Sequence, residues 1–204
     1  MAFEEWKRRN LKQSRLMFAS SEMRGYLQKN RIDAVIVGSD QVWRPKAAQD
    51  VLDAFLAFVP DGIGKIAYAA SFGVDEWEYL KDETAKISLL AQNLDVASVR
   101  EEHGIEMCRR HLGIEAKLVL DPTLLAGRDV FKKFAVCKSP EHSGFCYFLD
   151  SNTDKTRIAQ AASRALGIGM HGNNDAGRDV SIEQWISDFA NADKALNQAW
   201  KNAK

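Results

Sequence analysis

The stretch DAVIVGSDQVWRP, residues 33–45, decides the fold class because an apolar run ends abruptly in a polar loop. Four apolar residues in succession, at positions 34–37, predict a strand of a parallel sheet that is buried on both faces. The run stops at Gly38, and Arg44 followed by Pro45 prevents a regular continuation. The polar residues between them therefore follow the carboxyl end of a strand.

Similar apolar runs recur and alternate with amphipathic helical patterns, which predicts parallel βαβ units and an α/β fold. We predict strands at 33–37, 65–70, 95–99, 116–120 and 144–149, and helices at 3–19, 20–30, 75–92, 101–112 and 154–166. Ser20 and Ser21 are candidate caps of the second helix.

A change of composition between Gly127 and Gly144 predicts a domain boundary. The expected divisions are an N-terminal helical segment at 1–30, a Rossmann-like α/β domain at 31–127, a linker at 128–143 and a partial second α/β domain at 144–204. In the last division we expect one strand, a helix, the loop GIGMHGNNDAGRD and a helix capped at Ser181. One strand cannot close a second sheet, so this domain is expected to be incomplete, and its exposed edge would favour self-association.

The composition of the chain excludes several classes of partner. The 204 residues include 28 basic and 28 acidic ones, so bulk charge favours neither nucleic acid nor a membrane surface. No export signal or membrane span is predicted, and three widely spaced cysteines suggest reduced thiols in the cytoplasm. We expect neither a metal site nor a phosphate-binding glycine fingerprint of the GxGxxG or GxxxxGK(S/T) kind, and therefore no metal and no cofactor.

Polar residues follow four of the predicted strands. The junctions are GSDQVW at 38–43, SFG at 71–73, REE at 100–102 and DPTLL at 121–125. Because ligands of open parallel sheets bind outside the carboxyl ends of the strands, the four junctions together predict a polar crevice along one edge.

Each junction also has a purely structural interpretation. Gly38 suits a tight turn, and Asp40 either caps the next segment or contacts a ligand. Trp43 either packs in the core, the interpretation we favour, or stacks on a sugar ring. Arg100 either binds a carboxylate or phosphate, or pairs with a neighbouring acid. Asp121 precedes a proline and either shapes a turn or accepts a hydroxyl proton.

The histidines and cysteines are weaker candidates. His103 and His111 lie in a helical pattern, where solvation or packing explains them better than catalysis. His142 and His171 lie in predicted loops, and His171, among glycines, is the better candidate of the two. Cys108, Cys137 and Cys146 are interpreted as small apolar residues.

Five motifs occur in the order and spacing of one family. They are DAVIVGSDQVWRP, KIAYAASFG, ASVREEHGIEMC, LVLDPTLL and SIEQWISDFANAD. Over roughly residues 30–193 the chain resembles the polysaccharide pyruvyl transferase family. The resemblance implies two Rossmann-type domains facing across a cleft, as in GT-B glycosyltransferases, and transfer of a pyruvyl group from phosphoenolpyruvate to sugar hydroxyls as a ketal in bacterial surface-polysaccharide synthesis.

The resemblance also implies roles for individual residues. Arg100 matches the arginine of the family's S-x-R-E motif and would bind the carboxylate and phosphate of the donor. The other implied substrate-binding residues are Ser39, Asp40, Gln41, Ser71 and Asp121.

Two departures from the family pattern are visible. The chain begins after the family's usual first strand, and no TDSFHG run, which carries the family's histidine, is present. We therefore expect a truncated member that forms no ketal alone, and no catalytic residue is assigned. The alternatives are a non-catalytic sugar- or anion-binding module, one part of a split enzyme, or a nucleotide-sugar glycosyltransferase.

Overall fold

The computed structural model describes residues 2–48, 50–136, 143–146, 153–171 and 181–192. The chain divides into two compact units, one of residues 15–125 and one of residues 1–14 with 126–204. The units are described separately below, and the domain limits expected from the sequence stay predictions.

The unit of residues 15–125 is built on a parallel sheet of four strands in the order β1-β2-β3-β4. Its strands are β1 (Ala34–Val37), β2 (Gly64–Ala70), β3 (Val96–Val99) and β4 (Lys117–Leu118). Its helices are α2 (Ser20–Lys29), α3 (Val51–Ala54), α4 (Lys81–Ala91), α5 (Glu102–Met107) and α6 (Pro122–Leu125), with a π-helical turn at Cys108–Leu112. Four predicted strands, and the parallel α/β architecture, are therefore confirmed.

Only one face of this sheet carries the core of the unit. Val37, Ala67 and Val99 point to that face and pack with residues of α4, α5 and the π-helical turn. On the other face Ile36 is 66% exposed and Val96 47% exposed. The prediction of a strand buried on both faces is therefore wrong for β1, because a run of four apolar residues cannot by itself distinguish a strand covered on both sides from one covered on one.

A bulge interrupts β2 near its carboxyl end. Ala67 pairs with Ala97 and Ala70 pairs with Val99, so an interval of three residues on β2 lies opposite an interval of two residues on β3. The extra residue makes Ala69 adopt a left-handed backbone with φ of 50°. The Ser98 hydroxyl of β3 spans the irregularity: it accepts a hydrogen bond from the Ala69 N–H and donates one to the Ala67 carbonyl, both at 3.0 Å.

The helix predicted at 75–92 begins later than expected. Trp77 and Tyr79 pack among the core aromatic residues instead of continuing a helix. α4 starts at Lys81, where the Glu83 carboxylate accepts the N–H of Leu80 at 2.9 Å and caps the first turn.

The predicted N-terminal helices also need correction. The first helix, α1 (Ala2–Asn10), is shorter than the predicted 3–19. α2 matches its prediction, but its cap position is Ala19. Ser20 is not the cap; its hydroxyl donates to the Asp53 carboxylate at 2.8 Å.

The second unit contains a small βαβ arrangement. α1, α7 (Arg128–Lys132), β5 (Ser143–Phe145), α8 (Thr153–Leu166), β6 (Gly169–His171) and α9 (Ile182–Asn191) are its elements. β5 and β6 pair in parallel. The prediction of a single strand is therefore wrong: the segment GMH at 169–171, expected in a loop, is a strand. The predicted cap of α9 is confirmed, since the Ser181 hydroxyl accepts the N–H of Gln184 at 3.1 Å.

The expectation that the chain has no GxGxxG run is wrong as a statement about the sequence of this unit. The letters GIGMHG at 167–172 spell GxGxxG, which binds dinucleotide phosphates where it follows a strand and opens a helix. Here the run instead follows α8 and passes through β6. Its described residues therefore lack the context of a dinucleotide fingerprint. Across the described ranges, no helix has the length and apolar character needed to cross a membrane.

Substituting Gly38 with alanine should strongly destabilise the protein. Its φ is 134°, and a Cβ would lie 1.9 Å from the Tyr68 carbonyl oxygen of β2. We expect the free energy of unfolding to fall by more than about 2 kcal/mol. The control is Gly62→Ala, since Gly62 has φ of 85° with open space around it and should lose about 1 kcal/mol. Equal losses in urea denaturation would show that the contact with Tyr68 does not matter.

Candidate functional site

The loop after β1 is held to the core by Trp43. This side chain is fully buried, stacks on Phe55 at a centroid distance of 5.0 Å and donates its indole N–H to the Ala54 carbonyl at 3.2 Å. Its backbone N–H donates to the Ser71 carbonyl at 3.1 Å, and its own carbonyl accepts the Tyr79 hydroxyl at 2.7 Å. The core interpretation of Trp43 is confirmed, and a role as a sugar platform is excluded by its burial.

Asp40, which is exposed, and Gln41, which is half-buried, belong to the same loop. The Asp40 carboxylate accepts the N–H of Gln41 at 2.7 Å, which is the local capping contact weighed from the sequence. The Gln41 side chain lies against Gly73, where a Cβ would be 2.5 Å from the Gln41 Cδ. The loops that follow β1 and β2 therefore touch, as predicted for neighbouring carboxyl ends.

Five side chains at the carboxyl ends of the strands form one connected group, named here the Arg100 cluster: Ser39, Ser71, Arg100, Glu101 and Asp121. The Arg100 guanidinium donates through Nε to Glu101 Oε1 at 3.0 Å and through Nη1 to Asp121 Oδ2 at 2.9 Å. Ser71 Oγ donates to the same Glu101 oxygen at 2.6 Å and accepts the N–H of Gly73 at 3.0 Å.

Asp121 is the most strongly perturbed acid of the cluster. The Thr123 hydroxyl and N–H, the Arg100 guanidinium and the Ser39 hydroxyl surround its carboxylate and lower its pKa from 3.8 to about 2, although burial acts in the opposite direction. Asp121 is therefore ionised at neutral pH. Burial alone would lower the pKa of Arg100, but the bonds to Glu101 and Asp121 raise it instead.

The charges of the cluster determine which ligands suit it. One guanidinium faces two carboxylates, so the cluster carries a formal charge of −1. Two of the five Arg100 N–H groups make these bonds. The other three make no hydrogen bond to the described residues. Glu101 Oε2 is buried and has no hydrogen-bond partner in the described part of the chain. The Ser71 hydroxyl already donates to Glu101, so the cluster offers the remaining guanidinium N–H groups beside carboxylate oxygens, which suits hydroxyl groups as well as an anion.

Sequence reasoning missed Glu101 as a central member of the site. The sequence suggests Glu101 only as one of the acids that could pair with Arg100. In the structure Glu101 also links Ser71 to Arg100. Its position after the strand in the SVRE run was the available signal. A second contact near the site was also missed: Arg44 donates to Glu78 at 3.1 Å and approaches Gln41 Oε1 at 3.5 Å.

His111, Cys108 and Cys146 lie in packing positions. His111 stacks on Trp77 at 4.2 Å, and burial lowers its pKa. Cys108 is fully buried, which raises its pKa to about 12, and Cys146 is partly buried. These results confirm the packing interpretation of the three residues. Cys137 and His142 lie outside the described residues, as does the His171 side chain.

Metal binding has no support in the described ranges, where no three His, Cys, Asp or Glu side chains are grouped to hold an ion.

A parallel α/β sheet with polar side chains converging at its carboxyl edge is the architecture of proteins that bind a small polar ligand there. The family model described as Polysaccharide pyruvyl transferase matches residues 2–196, and the chain belongs to this family of transferases. No curated protein and no solved structure gives a significant match.

Replacing Asp121 with asparagine should flatten the acid limb of the stability profile. The folded state lowers the pKa of Asp121, so its contribution is present above about pH 4 and is lost as the pH falls towards 2. We expect wild type to lose about 1 to 2 kcal/mol more than Asp121→Asn between these limits. Urea denaturation at a series of pH values measures the difference. Asp61→Asn, at a fully exposed carboxylate, should match wild type, and parallel profiles for wild type and Asp121→Asn would contradict the assigned contacts.

Proposed function

We propose that this chain takes part in the transfer of a pyruvyl group from phosphoenolpyruvate to sugar hydroxyls as a ketal, and that the Arg100 cluster forms part of the donor-binding wall. The family membership supports a transferase. The observation that carries the proposal is the position of Arg100, which two carboxylates hold at the carboxyl end of β3 with three N–H groups remaining for a ligand. The reaction is expected in the cytoplasm, as the cysteine pattern suggested.

Each residue implied by the resemblance has a proposed part in this site. Arg100 would bind the donor carboxylate or phosphate, which matches a planar fork of donors. Ser39 would add a hydroxyl contact after β1, and Asp40 and Gln41 would line the loop that follows. Ser71 is buried in the structure and would act on the ligand through Glu101, to which it donates. Asp121 holds the guanidinium in place and is proposed as a support of the site rather than a reacting group.

The proposal assigns the donor-binding wall to residues 31–127, which carry the Arg100 cluster. The general acid stays unassigned, and the family's histidine role is not transferred to His171.

The acidic excess of the cluster limits its affinity for an anion. A carboxylate or phosphate that approaches Arg100 meets the charges of Glu101 and Asp121 at the same time. The ligand must therefore replace one of these carboxylates or share the guanidinium with both. We expect weak binding of phosphoenolpyruvate by this chain.

The same charge balance favours a second candidate function, a non-catalytic sugar-binding module. Sugar hydroxyls donate to carboxylates and accept from guanidinium and serine groups without adding charge. A cluster with a formal charge of −1 imposes no repulsion on such a ligand. In this case sugar would bind and phosphoenolpyruvate would not.

Calorimetric titration with phosphoenolpyruvate tests the role of Arg100. We expect Arg100→Ala to abolish the weak binding of wild type, because the guanidinium is the cation of the cluster. Arg110→Ala is the matched control, since Arg110 is an exposed arginine of the π-helical turn and pairs with Glu106 of α5. Equal affinities for wild type and Arg100→Ala would remove Arg100 from the donor site.

Asp121→Asn distinguishes the two candidate functions. The substitution changes the formal charge of the cluster from −1 to 0, so an anion should bind about tenfold more tightly if Arg100 holds the donor. If the cluster instead binds sugar hydroxyls, the loss of an acceptor carboxylate should weaken sugar binding and leave phosphoenolpyruvate unbound. Parallel titrations with phosphoenolpyruvate and with simple hexoses measure both effects.

A further inference from the structure

Ser98 is a buried polar residue that the site described above does not use directly. It lies on β3, is 3% exposed and makes two hydrogen bonds to β2, one to each side of the bulge. A bulge leaves backbone groups outside the regular ladder, and a buried group without a partner destabilises the fold. One hydroxyl satisfies both the Ala69 N–H and the Ala67 carbonyl.

The bulge changes which side of the sheet the end of β2 presents. Side chains of a strand alternate between faces, yet Ala67 and Ala70, three positions apart, both lie in the core cluster. The extra residue thus shifts the alternation by one position. Ser71 would share the face of Ala67 in a regular strand, whereas after the bulge it follows the core residue Ala70 and reaches Glu101.

The same bulge lies against the start of the β1 loop. The Tyr68 carbonyl, inside the bulge, occupies the space where a Cβ of Gly38 would lie. Ser39, whose hydroxyl lies beside the Asp121 carboxylate and helps to lower its pKa, is the next residue. The backbone of β2 at 67–70 therefore sets the positions of two members of the Arg100 cluster, one on each of two neighbouring strands.

We propose that Ser98 is a positioning residue: its hydroxyl holds the bulge of β2 in the conformation that brings Ser71 and Ser39 to the Arg100 cluster. It acts through the backbone and not by contact with a ligand. The identity of the ligand rests on the proposed function, but the positioning role itself does not.

The experiment compares Ser98→Ala, the conservative Ser98→Thr and the control Ser88→Ala. Ser88 donates to the Leu112 carbonyl at 3.0 Å, so its loss removes a comparable hydroxyl-to-carbonyl bond away from the bulge. The first reading is the affinity for phosphoenolpyruvate by calorimetry. The second is the amide exchange rate of Gly73, whose N–H bonds to Ser71 Oγ and reports on the position of that side chain.

Ser98→Ala should weaken binding about tenfold and speed the exchange of Gly73 about tenfold, because two backbone groups lose their partner. Ser98→Thr keeps the hydroxyl and should restore both readings, and Ser88→Ala should leave both at wild-type values. If Ser98→Ala matches Ser88→Ala in the Gly73 exchange rate, the positioning role is wrong. If wild type binds no phosphoenolpyruvate, the proposed function fails while the exchange reading still decides the role of Ser98.

A double variant covers the case in which Ser98→Ala does not fold. Glycine adopts a left-handed backbone at little cost but is equally free to adopt others, so adding Ala69→Gly should restore folding without holding the bulge in one conformation. Fast exchange of Gly73 in the folded double variant would support the positioning role, and a wild-type rate would overturn it.

Discussion

The hydrogen bonds between Ser98 and the bulge of β2 connect the core of the larger unit to its polar edge. On one side of these bonds Ala67, Ala70 and Val99 pack into the apolar core; on the other side the chain continues into Ser71 and the Arg100 cluster. A regular strand would keep the alternation of the core through to its end. Because of the bulge, the first part of β2 packs in the core and its end leads into polar contacts. The backbone groups that the bulge leaves outside the ladder need a buried hydroxyl as hydrogen-bond partner.

The charged residues of the site stabilise one another before any ligand arrives. Arg100 bridges Glu101 and Asp121, Ser71 donates to Glu101, and the Ser39 hydroxyl lies beside Asp121. An arginine that is already paired keeps a fixed orientation, so less side-chain entropy is lost when a ligand binds. The compensating carboxylates also reduce its attraction for anions, which makes the charge balance of this cluster, and not the presence of an arginine alone, the feature that determines ligand preference.

Sequence patterns predicted those features that depend on the local order of apolar and polar residues. Apolar runs indicated the four strands, and polar residues after them indicated that Arg100 and Asp121 would lie at one edge, because parallel strands end together. The bulge left no signal, since Ala69 adopts a left-handed backbone at a position without glycine. The strand at 169–171 was hidden by the surrounding glycines. The late start of α4 depends on the burial of Trp77, a tertiary effect that helical periodicity does not contain.

The fixed ends of the loop after β1 have a consequence for recognition. Gly38 is pressed against the Tyr68 carbonyl at one end, and Trp43 is held at the other by three hydrogen bonds and a ring stack. The segment 39–42 is thus a short arc between two anchors, and few backbone conformations are open to it. When a ligand contacts segment 39–42, the loop is already close to its ligand-bound conformation. Binding therefore loses little free energy to ordering the loop.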